Sequence, residues 1–164
     1  MRSALLAMVW LVAGLSATAE AVDLPPNFVE KLEKEPYVYI SSTRASGDLG
    51  SAAEIWFAWQ DGTVLVGTST NSYRVRRIRA GRPAARIWLE KSHANWFDAT
   101  GKLVDDAATQ EFLMTDFARK YGDSFKSRWE ESFRKGFLDG SRVVVRYTPT
   151  GKTGEGPLGL PAKE

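Results

Sequence analysis

The spacing of apolar positions in the first half of the chain predicts one helix followed by strands. Phe28, Val29 and Leu32 fall on one helical face, and Pro36 ends this short amphipathic helix. The runs that predict strands cover residues 37–42, 53–59 and 63–69, with a flexible loop at 44–50. The last two runs flank Asp61-Gly62, a pair that favours the positive φ angles of a tight hairpin.

The second half of the chain alternates between strand and helix periods. The predicted elements are a basic helix over 73–80, strands over 84–89, 94–99 and 142–147, and helices over 107–121 and 124–136. Gly81 is expected to stop the basic helix, and Thr100-Gly101 to form a turn after the second of these strands. The pattern as a whole predicts an α+β fold that is mainly β.

The two ends of the chain depart from this pattern. Arg2, an uncharged apolar run and then small residues have the form of a cleavable secretory signal, so residues 1–21 are expected to be a signal peptide. The apolar run is shorter than the ~20 residues that span a bilayer, so no stable membrane anchor is expected. Residues 150–164 lack an apolar period and are expected to be disordered. One domain over 22–149 remains, and we expect it in the periplasm or secreted.

Composition excludes several kinds of chemistry. The 164 residues contain no cysteine, which excludes disulfides, thiolate metal sites and cysteine nucleophiles. His93 is the only histidine, so zinc sites with several nitrogen ligands are excluded, and we interpret it as a solvated turn residue. A formal net charge of +2 gives no indication of a nucleic-acid partner.

The candidate chemistry lies where the second hairpin strand runs into the basic helix. Thr68, Ser69 and Ser72 supply hydroxyls there, and Arg74 and Arg79 follow within the helix. Backbone N–H groups at a helix start favour an anion, and a guanidinium adds a charge-assisted bond, so the segment can hold the phosphate of a flavin mononucleotide. The arginines can equally be the solvated face of a short helix. The residues alone leave both interpretations open.

The order of these elements resembles the pyridoxamine 5′-phosphate oxidase-like split β-barrel family. The resemblance runs from about Pro25 to Pro149 and rests on Ile55-Trp56-Phe57, the Asp-Gly hairpin, a strand ending at Thr68, and Ser72-x-Arg74-x-x-Arg77-x-Arg79. It implies a six-stranded antiparallel split β-barrel with flanking helices, and a homodimer with a flavin at the subunit interface.

In that family a threonine that ends a strand, and a serine and a lysine or arginine shortly after it, hold the flavin phosphate. Thr68, Ser72 and Arg74 match those positions. The chain departs from the oxidase itself at residues 53–56 and 82–84, so vitamin-specific activity is not implied. Three hypotheses follow: a flavin (FMN) or deazaflavin oxidoreductase, a haem-binding or haem-degrading split barrel, and a non-catalytic periplasmic binding or interaction protein.

Overall fold

A computed structural model of the chain describes residues 22–91 and 94–157. The expected signal peptide over 1–21 and His93 lie outside the described residues. No helix in the described part is long and apolar enough to cross a bilayer.

Within the described residues, seven antiparallel strands form one sheet, and four helices flank it. The strands are β1 Val38–Ser42, β2 Ala53–Ile55, β3 Ala58–Gln60, β4 Thr63–Ser69, β5 Ala84–Trp88, β6 Ala94–Val104 and β7 Arg142–Gly156. The helices are α1 Pro26–Lys34, α2 Tyr73–Arg79, α3 Ala107–Lys126 and α4 Glu130–Leu138. The strand order across the sheet is β2-β1-β5-β6-β7-β4-β3.

The two outermost strands of this order, β2 and β3, are neighbours in the chain, separated only by Trp56 and Phe57. The sheet must therefore curl until its edges meet, and the split of the barrel lies at these two residues. The hydroxyl of Tyr121 accepts the Phe57 N–H at 2.9 Å and also lies 3.0 Å from the Phe57 carbonyl oxygen. Since these backbone groups are bonded to Tyr121, the predicted strand over 53–59 is two strands, and seven replace the expected six.

Strand β6 is longer than predicted because Gly101 is not in a turn. It lies inside the strand, paired with Tyr147 of β7. A Cβ at Gly101 would stand 2.9 Å from Cε1 of Tyr147, so this glycine allows an aromatic ring to pack closely on the strand. The prediction of a turn at Thr100-Gly101 is therefore wrong.

Strand β7 also continues past its predicted end. Residues 150–156 extend it, and its outer part pairs with Ala94–Phe97 of β6. The expectation of disorder from residue 150 is wrong for these seven residues, because backbone pairing and the packing of Trp96 over Gly154 order a segment that has no apolar period. The domain therefore extends beyond residue 149.

Apolar side chains pack on both faces of the sheet. Val64 and Val66 of β4 belong to the cluster inside the barrel, which α1 and α2 also join, while Leu65 points to the other face. That outer cluster contains Phe117, Phe125 and Phe133 of α3 and α4. Gly122, at φ 52°, breaks the helical geometry inside α3. The chain bends there, and Phe117 before the bend and Phe125 after it both belong to the outer cluster.

Candidate functional site

A cavity of about 660 Å³ opens beside the start of α2. It lies among β1, the loop after it, β2 and the end of β4. Its lining consists of Ile40, Ser42, Arg44, Ser51, Ala53, Thr68, Ser72, Tyr73, Arg74 and Arg77. The strand end and the helix start that carry the predicted site thus face the loop after β1.

Thr68, Ser72 and Arg74 all line this cavity. Thr68 is 9% exposed and is held in the β4–β7 ladder opposite Val143. Ser72 precedes α2, but its hydroxyl makes no capping bond to the helix. Both Ser72 Oγ and Arg74 Nη1 are buried without a hydrogen-bond partner among the described residues. Because an unpartnered buried polar group costs about 1–3 kcal/mol, these two atoms indicate a polar ligand.

Tyr147 adds a third buried polar group near the same arginine. Its hydroxyl has no hydrogen-bond partner among the described residues. Burial raises the pKa of Tyr147, and both the positive charge of Arg74 and a weak, poorly aligned hydrogen-bond contact with the Arg74 side chain partly oppose that rise. The phenol therefore stays protonated and can donate to an acceptor.

Arg77 lines the cavity from the next turn of α2. Its Nη1 donates to the carbonyl oxygen of Ser42 at 2.7 Å and to the Ser42 hydroxyl at 2.8 Å. Burial, followed by the positive charges of Arg44 and Arg82, lowers the pKa of Arg77 below its ordinary value. The guanidinium nevertheless remains charged near neutral pH, since arginine starts from a very high pKa.

Two of the five predicted site residues lie elsewhere. Ser69 Oγ accepts the Asn71 N–H at 3.2 Å, and Arg79 Nη1 donates to the Thr70 carbonyl oxygen at 3.3 Å; neither side chain lines the cavity. The helical period explains the second case, because Arg79 is five residues from Arg74 and so falls on another face.

Sequence reasoning did not select Ser42, Arg44 or Ser51 as site residues. All three come from β1 and the segment that follows it. The only signal was that this loop contains two glycines, which is typical of loops that border sites. Their proximity to α2 depends on the pairing of β1 with β5, which no local pattern encodes.

The strand order, the split at Trp56-Phe57 and the cavity at the end of β4 define a split β-barrel. This is the fold of the pyridoxamine 5′-phosphate oxidase-like proteins, as the resemblance predicted. No protein-family model and no curated protein sequence matches the chain significantly.

Solved structures share the fold at low sequence identity. The conserved hypothetical protein Rv2991 from Mycobacterium tuberculosis is 17% identical, with a TM-score of 0.64 over 89% of this chain and 94% of that one. HutZ, the haem storage protein from Vibrio cholerae, is 14% identical, with a TM-score of 0.58 over 81% and 94%. A candidate pyridoxamine 5′-phosphate oxidase from Listeria innocua is 14% identical, with a TM-score of 0.55 over 79% and 94%.

Proposed function

We propose that the cavity beside α2 binds a phosphorylated flavin, flavin mononucleotide in the first place, and that the protein is an exported flavin-dependent oxidoreductase. The observation that carries this proposal is the pair of buried, unpartnered donors Ser72 Oγ and Arg74 Nη1. A phosphate accepts hydrogen bonds on several oxygens, and its negative charge would balance the positive charge of the Arg74 guanidinium.

Each part of the cavity wall has a role in this proposal. Thr68, Ser72 and Arg74 would hold the phosphate through two hydroxyls and a guanidinium. Ile40 and Ala53 supply apolar wall, which suits the aromatic ring system of a flavin better than a charged group. A bound flavin would supply hydride transfer, so the protein needs to provide only binding and orientation.

The proposal includes a homodimer outside the cytoplasm. Tyr73 lines the cavity, yet 70% of it is exposed, and a large exposed aromatic residue at a ligand site suits coverage by a second subunit. Export rests on the signal-like residues 1–21 of the sequence. An exported chain without a twin-arginine pair would acquire its flavin after transit.

The test is the absorbance spectrum of protein purified after native export, followed by titration with flavin mononucleotide while flavin fluorescence is recorded. Arg74→Ala removes a charged hydrogen bond of ~1.5–3 kcal/mol, which weakens binding about 10- to 150-fold. Arg79→Ala is the matched control, because Arg79 is exposed on the same helix, donates to the Thr70 carbonyl oxygen and does not line the cavity, whereas Arg76 stacks on Tyr73 of the cavity wall. The control variant should bind like the unchanged protein.

Three results would contradict the proposal. Equal affinities of the Arg74→Ala and unchanged proteins would remove the phosphate site from this cavity. A Soret band on addition of haemin, with no flavin binding, would favour a haem-binding protein. Failure to bind either ligand would favour an interaction protein without a cofactor.

A further inference from the structure

The cavity beside α2 holds more positive charge than one phosphate requires. Arg44, Arg74 and Arg77 all line it, and none of its ten lining residues is acidic. Within residues 22–91 and 94–157, none of these three guanidiniums forms an ion pair with a carboxylate. Like charges that share a cavity repel one another, so their grouping indicates a ligand with matching negative charge.

Arg77 is fixed in place before any ligand binds. Both of its hydrogen bonds to Ser42 use Nη1, and no described residue accepts a hydrogen bond from its Nη2 or Nε. Gly50 makes this position possible, because a Cβ there would stand 2.8 Å from Arg77 Nη1. The remaining N–H groups are thus held on a guanidinium whose orientation is already set, which lowers the entropic cost of binding an anion.

Arg44 reaches the same cavity from the loop after β1. Its backbone N–H donates to the Asp48 carbonyl oxygen at 2.8 Å, and the Gly47 N–H donates to the Arg44 carbonyl oxygen at 3.1 Å. These bonds close the loop into a tight turn. Its charge contributes to the lowered pKa of Arg77, so the two guanidiniums lie within electrostatic range.

The spacing along α2 places a second guanidinium next to the first. Arg74 and Arg77 are three residues apart, so they share one helix face, with Cβ atoms about 5–6 Å from each other. Arg77 is bonded to Ser42 and lies within electrostatic range of Arg44, whereas Arg74 lies close to Tyr147.

We infer that Arg77 and Arg44 form a second anion subsite, and that the natural ligand carries a second anionic group beside its first phosphate. This inference rests on the proposed function and narrows its ligand class from phosphorylated flavins in general to flavins with two neighbouring anionic groups. The second group is a phosphate if the ligand is a flavin dinucleotide, and a carboxylate if it is an acidic deazaflavin, whose single phosphodiester would occupy the first position.

The experiment compares riboflavin, flavin mononucleotide, flavin adenine dinucleotide and coenzyme F420 as ligands of the full exported protein. We expect one of the last two to bind about tenfold or more tightly than the mononucleotide, the scale of one charge-assisted bond. Arg44→Ala should weaken binding of the preferred ligand about tenfold more than it weakens binding of the mononucleotide, and so abolish this preference. Which of the two ligands loses affinity identifies the second anion.

Arg44 is exposed, so its replacement should not disturb folding. Arg77→Lys serves as a second variant, because it keeps one positive charge but loses the planar fork, and it should reduce the same preference. Arg79→Ala is the control from the same helix. Equal binding of all phosphorylated flavins, or an equal loss for all of them in Arg44→Ala, would overturn the inference.

A measurement without flavin separates this inference from the proposed function. Inorganic pyrophosphate should raise the melting temperature more than inorganic phosphate does, and Arg44→Ala should remove the difference. If no flavin binds but pyrophosphate still raises the melting temperature of the unchanged protein more than phosphate does, the proposed function fails and the two-anion site stands. If flavin mononucleotide binds and pyrophosphate acts no more strongly than phosphate, the second subsite is refuted and the proposed function stands.

Discussion

Replacing Tyr121 by phenylalanine tests what holds the split of the barrel together. The Tyr121 oxygen accepts the Phe57 N–H at 2.9 Å, and its single proton faces the carbonyl oxygens of Phe57 at 3.0 Å and Pro36 at 2.9 Å. One hydroxyl on α3 therefore connects the break between β2 and β3 with the segment that leads into β1. Burial raises the pKa of Tyr121 well above its ordinary value, so the proton is retained over the whole working range.

The expected loss follows from what the substitution leaves behind. Phenylalanine can keep the ring stacked on Trp56, where the centroids are 4.5 Å apart and the planes differ by 10°. Only the hydroxyl disappears, and the N–H of the fully buried Phe57 loses its partner. An unsatisfied donor of this kind costs about 1–3 kcal/mol in the free energy of unfolding.

Tyr39→Phe is the matched control. The Tyr39 hydroxyl donates to Glu54 Oε2 at 2.7 Å, an exposed bond that raises the pKa of Tyr39 to about 12. Loss of an exposed bond should change the stability by no more than about 0.5 kcal/mol. Urea unfolding followed by circular dichroism gives both values, provided that the slope against urea is unchanged. If Tyr121→Phe is no more destabilising than Tyr39→Phe, the hydroxyl does not hold the split.

Two further substitutions test the packing around the sheet. Burial lowers the pKa of Lys120 to about 8, although the negative charge of Asp116 opposes this shift. Because an unfolded lysine has a pKa of about 10.4, the folded state binds fewer protons than the unfolded state between these two pH values. The free energy of unfolding should therefore rise with pH in this range. Lys120→Met lacks this pH-dependent stabilisation, so its free energy of unfolding in urea, relative to that of the unchanged protein, should fall between pH 8 and pH 10. A difference that stays constant over this range would contradict the lowered pKa of Lys120. Gly67→Ala should cost about 1–3 kcal/mol, because the new Cβ would stand 2.6 Å from Cε1 of Phe133. Adding Phe133→Leu makes room, so the double variant should lose less stability than the two single losses added together.

The strands and helices could be predicted where a local period or turn residue specifies them. The hairpin at Asp61-Gly62 is an example, since Asp61 has a φ of 48° and Gly62 a φ of 71°. Prediction failed where a distant contact decides the structure. Gly101 reads as a turn residue until Tyr147 is seen packed on it, and residues 150–156 read as a tail until they pair with β6. Neither contact can be predicted from the residues that are adjacent in the chain.

The candidate site shows the same division. Thr68, Ser72 and Arg74 are close in the chain, so their order along a strand end and a helix start was enough to place them together. Ser42 and Arg44 come from a segment about thirty residues earlier, and only the curling of the sheet brings them to α2. Half of the cavity was therefore beyond prediction from local sequence.

The sequence left two interpretations of the basic helix open, and its arginines lie on two different faces of α2. Arg76 and Arg79 are exposed, as residues of a solvated face should be. Arg74 and Arg77 instead line the cavity, one with a buried unpartnered nitrogen and the other crowded by like charges. A formal net charge of +2 conceals this local excess, because acids elsewhere neutralise other arginines, as Glu111 and Glu130 do for Arg134. Positive charge without a counter-ion disfavours the folded state on its own, which is the physical reason why we propose an anionic ligand for this cavity.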